Sequence, residues 1–145
     1  MKSEDIKKLI PQREPFIMVD GFEQVADNSA VTTLSICRDN YFMLPDGTLS
    51  ETGLIEHLAQ SCSALAGAQT LRHATPSGEG WDATPPVGLI GEVKHFTCHR
   101  RPHQGERITS TVTFSLTFGT VTLATGQTFV DEEAIAAIQL KIFMP

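Results

Sequence analysis

Hydrophobic and polar positions change rhythm several times along this chain. From Ser3 to Ile10 an acidic start (Glu4, Asp5) runs into apolar residues and ends at Pro11. Ser3 can cap such a segment, acids suit the positive end of a helix, and proline stops it, so a short helix is predicted. "PFIMVDGFEQVAD" and "SAVTTLSICRD" then read as two strands, with a turn at Asp27 to Ser29. Asp39 to Ser50 is a loop, with Pro45, Asp46 and Gly47 as its turn formers. From about Glu51 to about Leu71 the apolar residues, among them Leu54, Leu58 and Leu65, fall almost all round a helix. That pattern predicts a buried helix, not an amphipathic surface one. Thr48 and Glu51 have capping-box spacing, and Ser50 is a second candidate cap. The same stretch is rich in small residues: Gly53, Ala59, Ser61, Ser63, Ala64, Ala66, Gly67 and Ala68. Small side chains let something approach closely, most simply a sheet curved around the helix.

"HATPSGEGWDATPP" reads as a long loop, with Trp81 expected to anchor it. Four segments follow with the character of strands: "VGLIGEVKHFTCH", "ERITSTVTFSLTF", "TVTLATGQTFVD" and "AIAAIQLKIF". The second and third alternate β-branched, aromatic and polar residues, as half-buried strands do. Turns are expected at Pro102 to Gly105, at Gly119 and at Asp131 to Glu133. The predicted order is short helix, two strands, one long buried helix, then a four-strand meander. This is an α+β layout in a single domain over residues 1–145, with the sheet wrapping the helix. The outer strands leave edges that must be covered or paired, and pairing across a dimer would do so.

A chain of 145 residues can build one real core. No apolar run reaches the roughly 20 residues that span a bilayer, and "MKSEDIKKLI" has no signal-peptide core, so no membrane role is expected. Cys37, Cys62 and Cys98 are few, odd in number and far apart, which points to reduced thiols and a cytoplasmic protein. A formal net charge of -6 makes nucleic acid a poor partner. Yet Lys94, His95, His99, Arg100, Arg101, His103 and Arg107 crowd into one segment. Such a patch fits an acidic carrier protein or a phosphate-bearing ligand, and a solvated turn accounts for the same charges. His95, His99 and His103 recur every four residues, which in a strand is about 13 Å, too far to share one metal ion. Cys62 has no basic partner in sight and reads as packing. There is no phosphate-binding glycine loop and no Ser-His-Asp signature, and no cofactor is expected.

Three stretches carry a family resemblance. "LIPQREPFIMVD" resembles the "LLPHRxPFLLVD" signature of 3-hydroxyacyl-[acyl-carrier-protein] dehydratases. "GLIEHLAQS" resembles the "xLIxEAxAQ" segment of their central helix, and "GEVKHF...RRPHQGERI" resembles their "AGIDEARFKRPVxPGD" strand and turn. The three occur in family order at nearly family spacing and together cover most of the chain. The resemblance implies a hotdog fold, a homodimer or a heterodimer with a related subunit, and an acyl chain held near the dimer interface. It also implies acyl thioester substrates delivered on acyl carrier protein. Removing water from such a thioester requires a base for a weakly acidic α-proton, an acid for the departing oxygen, and donors for the thioester oxyanion. The family takes a histidine from an "HFP" loop of one subunit and a carboxylate from the helix of the other. Backbone N–H groups at the helix start polarise the thioester carbonyl.

On this resemblance Glu56 is the helical carboxylate, and Gln60, one turn later on the same face, orients it or touches substrate. Ser63 continues that face, and with Phe42 and Gly53 it is a candidate substrate-binding position. Arg100, Arg101 and Arg107 are candidates for docking an acidic carrier. Arg13 sits in the family's "HR" position, with Gln12 where the histidine would be, and is expected to support either the dimer or the N-terminal turn. The "HFP" histidine is absent, and ungapped counting places Phe42 there, in "DNYFMLPDG". Asp46 and His57 are the weaker stand-ins, although His57 points roughly 100° around the helix from Glu56. A branch associated with aryl-polyene pigment pathways has an "NxxFxxxDG" loop before "xGIEYMAQ", and this sequence is similar to that branch. Three readings follow: a dehydratase using Glu56, a catalytically silent hotdog subunit beside an active partner, and an acyl thioesterase.

Overall fold

A computed structural model describes residues 3–72 and 89–143. The predicted loop around Trp81 lies outside the described residues. The long helix forms as Glu51–Arg72 (α2). It is buried along nearly all its length from Gly53 to Ala68, because its apolar and small residues leave no continuous polar face. Among the described residues no helix is long and apolar enough to cross a membrane.

Six strands form one antiparallel sheet: β1 (Gly21–Ala26), β2 (Ser29–Ser35), β3 (Leu89–Cys98), β4 (Arg107–Phe118), β5 (Val121–Val130) and β6 (Glu133–Phe143). Their order is β1-β2-β4-β5-β6-β3. The strand content agrees with the predicted alternation, but the simple meander does not hold. β3 leaves the sequence of neighbours and pairs with β6 at the far edge, while β4 pairs with β2 and β5. The β3–β4 connection therefore crosses the end of the sheet. The crossing is held by backbone bonds: His99 N–H to Ile135 O, Leu49 N–H to Pro102 O and Gln104 N–H to Gly47 O.

On β2, β4 and β5 the inward set includes Ala30, Leu34, Ile108, Val112, Phe114, Ala124 and Val130, which close on Leu58, Leu65 and Leu54 of α2 in two adjoining apolar clusters. Along the regular parts of these strands side chains alternate, so residues such as Thr111, Thr113 and Thr125 face outward. The predicted turns recur, with Gly105 (φ 91°), Gly119 (φ 59°) and Asp131 (φ 53°) in left-handed conformations.

The N-terminal part differs from expectation in two ways. The first helix is only Ser3–Ile6 (α1), continued to Ile10 by turn bonds. The predicted first strand begins late, at Gly21, because the backbone of Phe16 to Met18 bonds to side chains of α2 instead of to a neighbouring strand. Close approach to the small residues of α2 also comes from an unexpected side. A Cβ on Gly67 would lie 2.9 Å from Leu9 Cα, and one on Gly53 would lie 2.7 Å from Phe42 Cβ. The glycines thus admit the N-terminal segment and the preceding loop, not the sheet.

Candidate active site

The start of α2 is set by Ser50, whose Oγ accepts the Gly53 N–H at 3.0 Å and whose carbonyl accepts the Leu54 N–H. Ser50 is therefore the cap, not Thr48. Thr48 is turned to the loop, donating its hydroxyl to Asp46 Oδ1 at 2.6 Å and accepting from Arg101 Nε at 3.0 Å.

After the exposed first residue Glu51, four positions break the burial of α2 near its start: Thr52, Ile55, Glu56 and Ala59. At spacings of three and four they form one stripe, the least covered side of the helix. Glu56 is half-buried on it. Its Oε1 accepts a hydrogen bond from Gln60 Nε2 at 2.9 Å. Gln60 is fully buried and every polar atom of its amide is engaged. Nε2 also donates to Phe16 O at 2.7 Å, and Oε1 accepts the Met18 N–H at 2.6 Å. Gln60 thus pins the Phe16–Met18 strap to the helix and directs one N–H at the Glu56 carboxylate. Ser63, one turn beyond Gln60, is buried.

The loop before α2 brings aromatic surface to this end of the molecule. Phe42 lies against Gly53, so two of the three predicted substrate-binding positions are in mutual contact. Tyr41 stacks edge-on with Phe16 at 4.9 Å and with Phe42 at 5.3 Å between ring centroids. Phe16 and Tyr41 remain exposed, at 45% and 62%. The Asn40 side chain fixes the turn by accepting the Phe42 N–H at 2.8 Å.

The two stand-ins for the family histidine are placed differently. His57 is completely buried on the opposite side of α2 from the Glu56 stripe. Its Nδ1 bonds to Met18 O at 2.6 Å and its Nε2 to Ser110 Oγ at 2.9 Å. Burial pushes its pKa down to about 4, against a smaller opposing effect of the Met18 carbonyl. It is a neutral core histidine with no free ring nitrogen. Asp46 is exposed in the loop, and the Thr48 hydroxyl, the Thr48 N–H and the Arg101 guanidinium hold its carboxyl below the usual range. An anion so stabilised is a poor proton donor.

The basic residues do not form one free patch. Arg100 makes a bidentate pair with Glu106 (2.8 and 2.9 Å) and also reaches Glu133. Those contacts, Arg100's hydrogen bonds above all, hold Glu106 down at about 2. Arg101 pairs with Asp46 at 3.0 Å. Arg107 donates to Thr33 Oγ1 at 3.1 Å and keeps an exposed charge. His95 faces outward from β3, beside an open cleft of about 360 Å³ on the outer face of the sheet. Arg13 closes the N-terminal turn, donating to the carbonyls of Ile10, Gln12 and Lys7. Cys62 is buried in the core, which pushes its thiol up to about 12 and leaves it inert.

Sequence reasoning placed Glu56 and Gln60 on one helix face, and the structure brings them into contact, but it missed Phe16 and Met18 as partners of Gln60 and Ser110 and Thr128 as the hydroxyls that hold His57. A signal existed for the last two: Ser110 and Thr128 are polar residues in the inward register of strands whose other inward residues are apolar.

Comparison with known proteins adds the following. The family model described as ApeP-like, ApeP dehydratase, matches residues 4–145. No curated protein matches the sequence. Among solved structures, the dehydratase heterocomplex ApeI:P from Xenorhabdus doucetiae superposes with a TM-score of 0.82 at 18% identity, over 97% of this chain and 90% of that one. A hypothetical thioesterase with coenzyme A from Streptococcus pneumoniae TIGR4 gives 0.66 at 10% identity, over 86% and 84%. The PaaI protein of E. coli, from the phenylacetic acid degradation operon, gives 0.63 at 9%, over 84% and 80%. At such identities the structural likeness establishes the hotdog fold alone.

Proposed function

The chain belongs to the ApeP-like dehydratase family, and from that premise we propose that it is a dehydratase subunit acting on 3-hydroxyacyl thioesters, with Glu56 as its acid/base. The observation that carries the proposal is the Glu56–Gln60 pair. A carboxylate stands half-buried on the least covered stripe of an otherwise buried helix, aimed by an amide that has no other freedom.

Loss of water breaks a C–H bond at the α-carbon and a C–O bond at the β-carbon. A proton leaves the first and one must reach the departing hydroxyl. A single carboxylate cannot hold both ends of that transfer at once. The described histidines do not supply the second group within this chain. His57 lies in the core, His95 on the outer sheet face, and His99 and His103 in the β3–β4 connection. A second hotdog subunit, bringing a histidine to Glu56 across the shared interface, completes the machinery. The dehydratase heterocomplex of similar fold supports this arrangement. β3, exposed on both faces for most of its length and, among the described residues, unpaired on its outer side, is a long edge available to such a subunit. The acyl group would arrive on acyl carrier protein, with Arg107 the freest of the three candidate docking arginines. The working place is the cytoplasm.

The test uses a 3-hydroxyacyl-carrier-protein and mass spectrometry, with the protein alone and with any histidine-bearing homologue that co-purifies. Water loss that needs this chain and is abolished by Glu56→Gln supports the proposal. Full activity with Glu56→Gln would reduce the chain to a silent, tunnel-shaping subunit. Release of free acid would make it a thioesterase.

A further inference from the structure

A row of buried hydroxyls crosses the inner face of the sheet beneath α2. Thr32 on β2, Ser110 on β4 and Thr128 on β5 are direct cross-strand neighbours, and all three are fully buried. Above them stands His57. The proton positions in this network follow from the bonds. Met18 O can only accept, so the proton of the neutral ring is on Nδ1. Nε2 is then an acceptor, and the Ser110 hydroxyl must donate to it. Having given its one proton to the ring, Ser110 Oγ accepts from Thr128 Oγ1 at 2.7 Å. On the other flank Ser61 donates to His57 O at 2.7 Å, so Thr32 donates to Ser61, also at 2.7 Å. Every proton is directed one way, and one ring tautomer satisfies the set.

The far end of the network is the site. The carbonyl of Met18 is held by His57 and its N–H by Gln60, and Gln60 holds Glu56. We propose that His57 is a positioning residue: Thr128 and Ser110 lock it as the Nδ1–H tautomer, and through Met18 and Gln60 it fixes the direction of the Glu56 carboxylate. The proposal rests on the role given to Glu56 above, and it assigns to His57 a task other than proton transfer to substrate. Such a chain works because a buried amide or imidazole with all partners satisfied has one low-energy orientation.

The experiment is long-range 1H–15N correlation of histidine-labelled protein from pH 5 to 8, with His57→Asn identifying the signal, alongside amide exchange of Met18. The expected pattern is Nδ1–H and neutral throughout. An Nε2–H pattern, or an imidazolium at pH 6, overturns the proposal. In Ser110→Ala the lock is gone, and Met18 N–H exchange should rise about tenfold, the usual size of one lost buried hydrogen bond. Thr128→Val should act in the same direction and Thr128→Ser, which keeps the hydroxyl, should restore the wild-type pattern. Where turnover is present, Ser110→Ala should lower kcat several-fold and leave KM unchanged. Unchanged Met18 exchange in both Ser110→Ala and Thr128→Val also overturns it, as does unchanged kcat in a folded Ser110→Ala. The tautomer and exchange readings need no activity, so they stand or fall separately from the dehydratase reading.

Discussion

Replacing Gly53 by alanine tests how closely the pre-helix loop is seated on α2. The new Cβ would lie 2.7 Å from Phe42 Cβ and 3.0 Å from Leu49 Cδ1 and Cγ. Carbon pairs attract best at about 3.5 Å or more, so the Phe42 contact is short by roughly 0.8 Å. Leu49 can rotate its branch away. Phe42 Cβ is one bond from the backbone, and the backbone there is tied by Phe42 O to Ser50 N–H and by Phe42 N–H to Asn40. Overpacking of this kind costs about 1–3 kcal/mol. Alanine gains at most about 1 kcal/mol over glycine in helix propensity, and less in the first turn. The net expectation is destabilisation of about 1–2 kcal/mol, or a Tm lower by roughly 3–6 °C for a chain of this length. The assay is urea and thermal unfolding at fixed protein concentration, since any dimer couples the two. The double-mutant cycle is specific. Phe42→Ala keeps the offending Cβ and should not relieve the penalty, whereas Phe42→Gly should remove most of it. A higher Tm for Gly53→Ala, or an equal penalty in the Phe42→Gly background, would refute the packing described here.

Further outcomes follow from the same geometry. Gln60→Leu should cost about 2–4 kcal/mol by stranding Met18 N–H and Phe16 O, measured by urea midpoint, and should lower dehydration even where folding is retained. His57 has a folded pKa near 4 against about 6.5 unfolded, so its contribution is complete above pH 6.5 and is lost as pH falls toward 4, by up to about 3 kcal/mol. Urea midpoints at pH 7.5, 6 and 5 should fall more steeply for the wild type than for His57→Asn, and equal slopes would contradict the burial. Arg107→Glu should weaken carrier-protein binding in a salt-dependent way, and more than Arg101→Ala, whose guanidinium is already occupied by Asp46; the reverse ranking by titration at two salt concentrations would exclude Arg107 as a contact.

What the sequence made legible, and what it hid, divides by distance along the chain. α2 was readable because twenty-odd consecutive residues share one property, and the β4 and β5 strands because they alternate over most of their length. Glu56 was readable because it violates the apolar pattern around it. The strand order was not, since nothing local tells β3 to pair with β6 across the sheet instead of with β4. The conformation of Phe16 to Met18 was hidden for a similar reason. Its sequence is that of a strand, but Gln60 and His57, some 39 to 44 residues away, capture its backbone groups. Even so, the alternation of the strands held an unused clue. Thr32, Ser110 and Thr128 occupy inward registers flanked by Ala30 and Leu34, Ile108 and Val112, and Gly126 and Val130. Buried hydroxyls are costly unless bonded, so an inward polar row on a sheet demands a polar side chain on the helix that covers it. α2 offers few residues large enough to reach down, and His57 is the one whose ring can bond on both sides at once. Read in that way, the histidine beside Glu56 belongs to the sheet beneath it, and the carboxylate stands on the open stripe, held by Gln60.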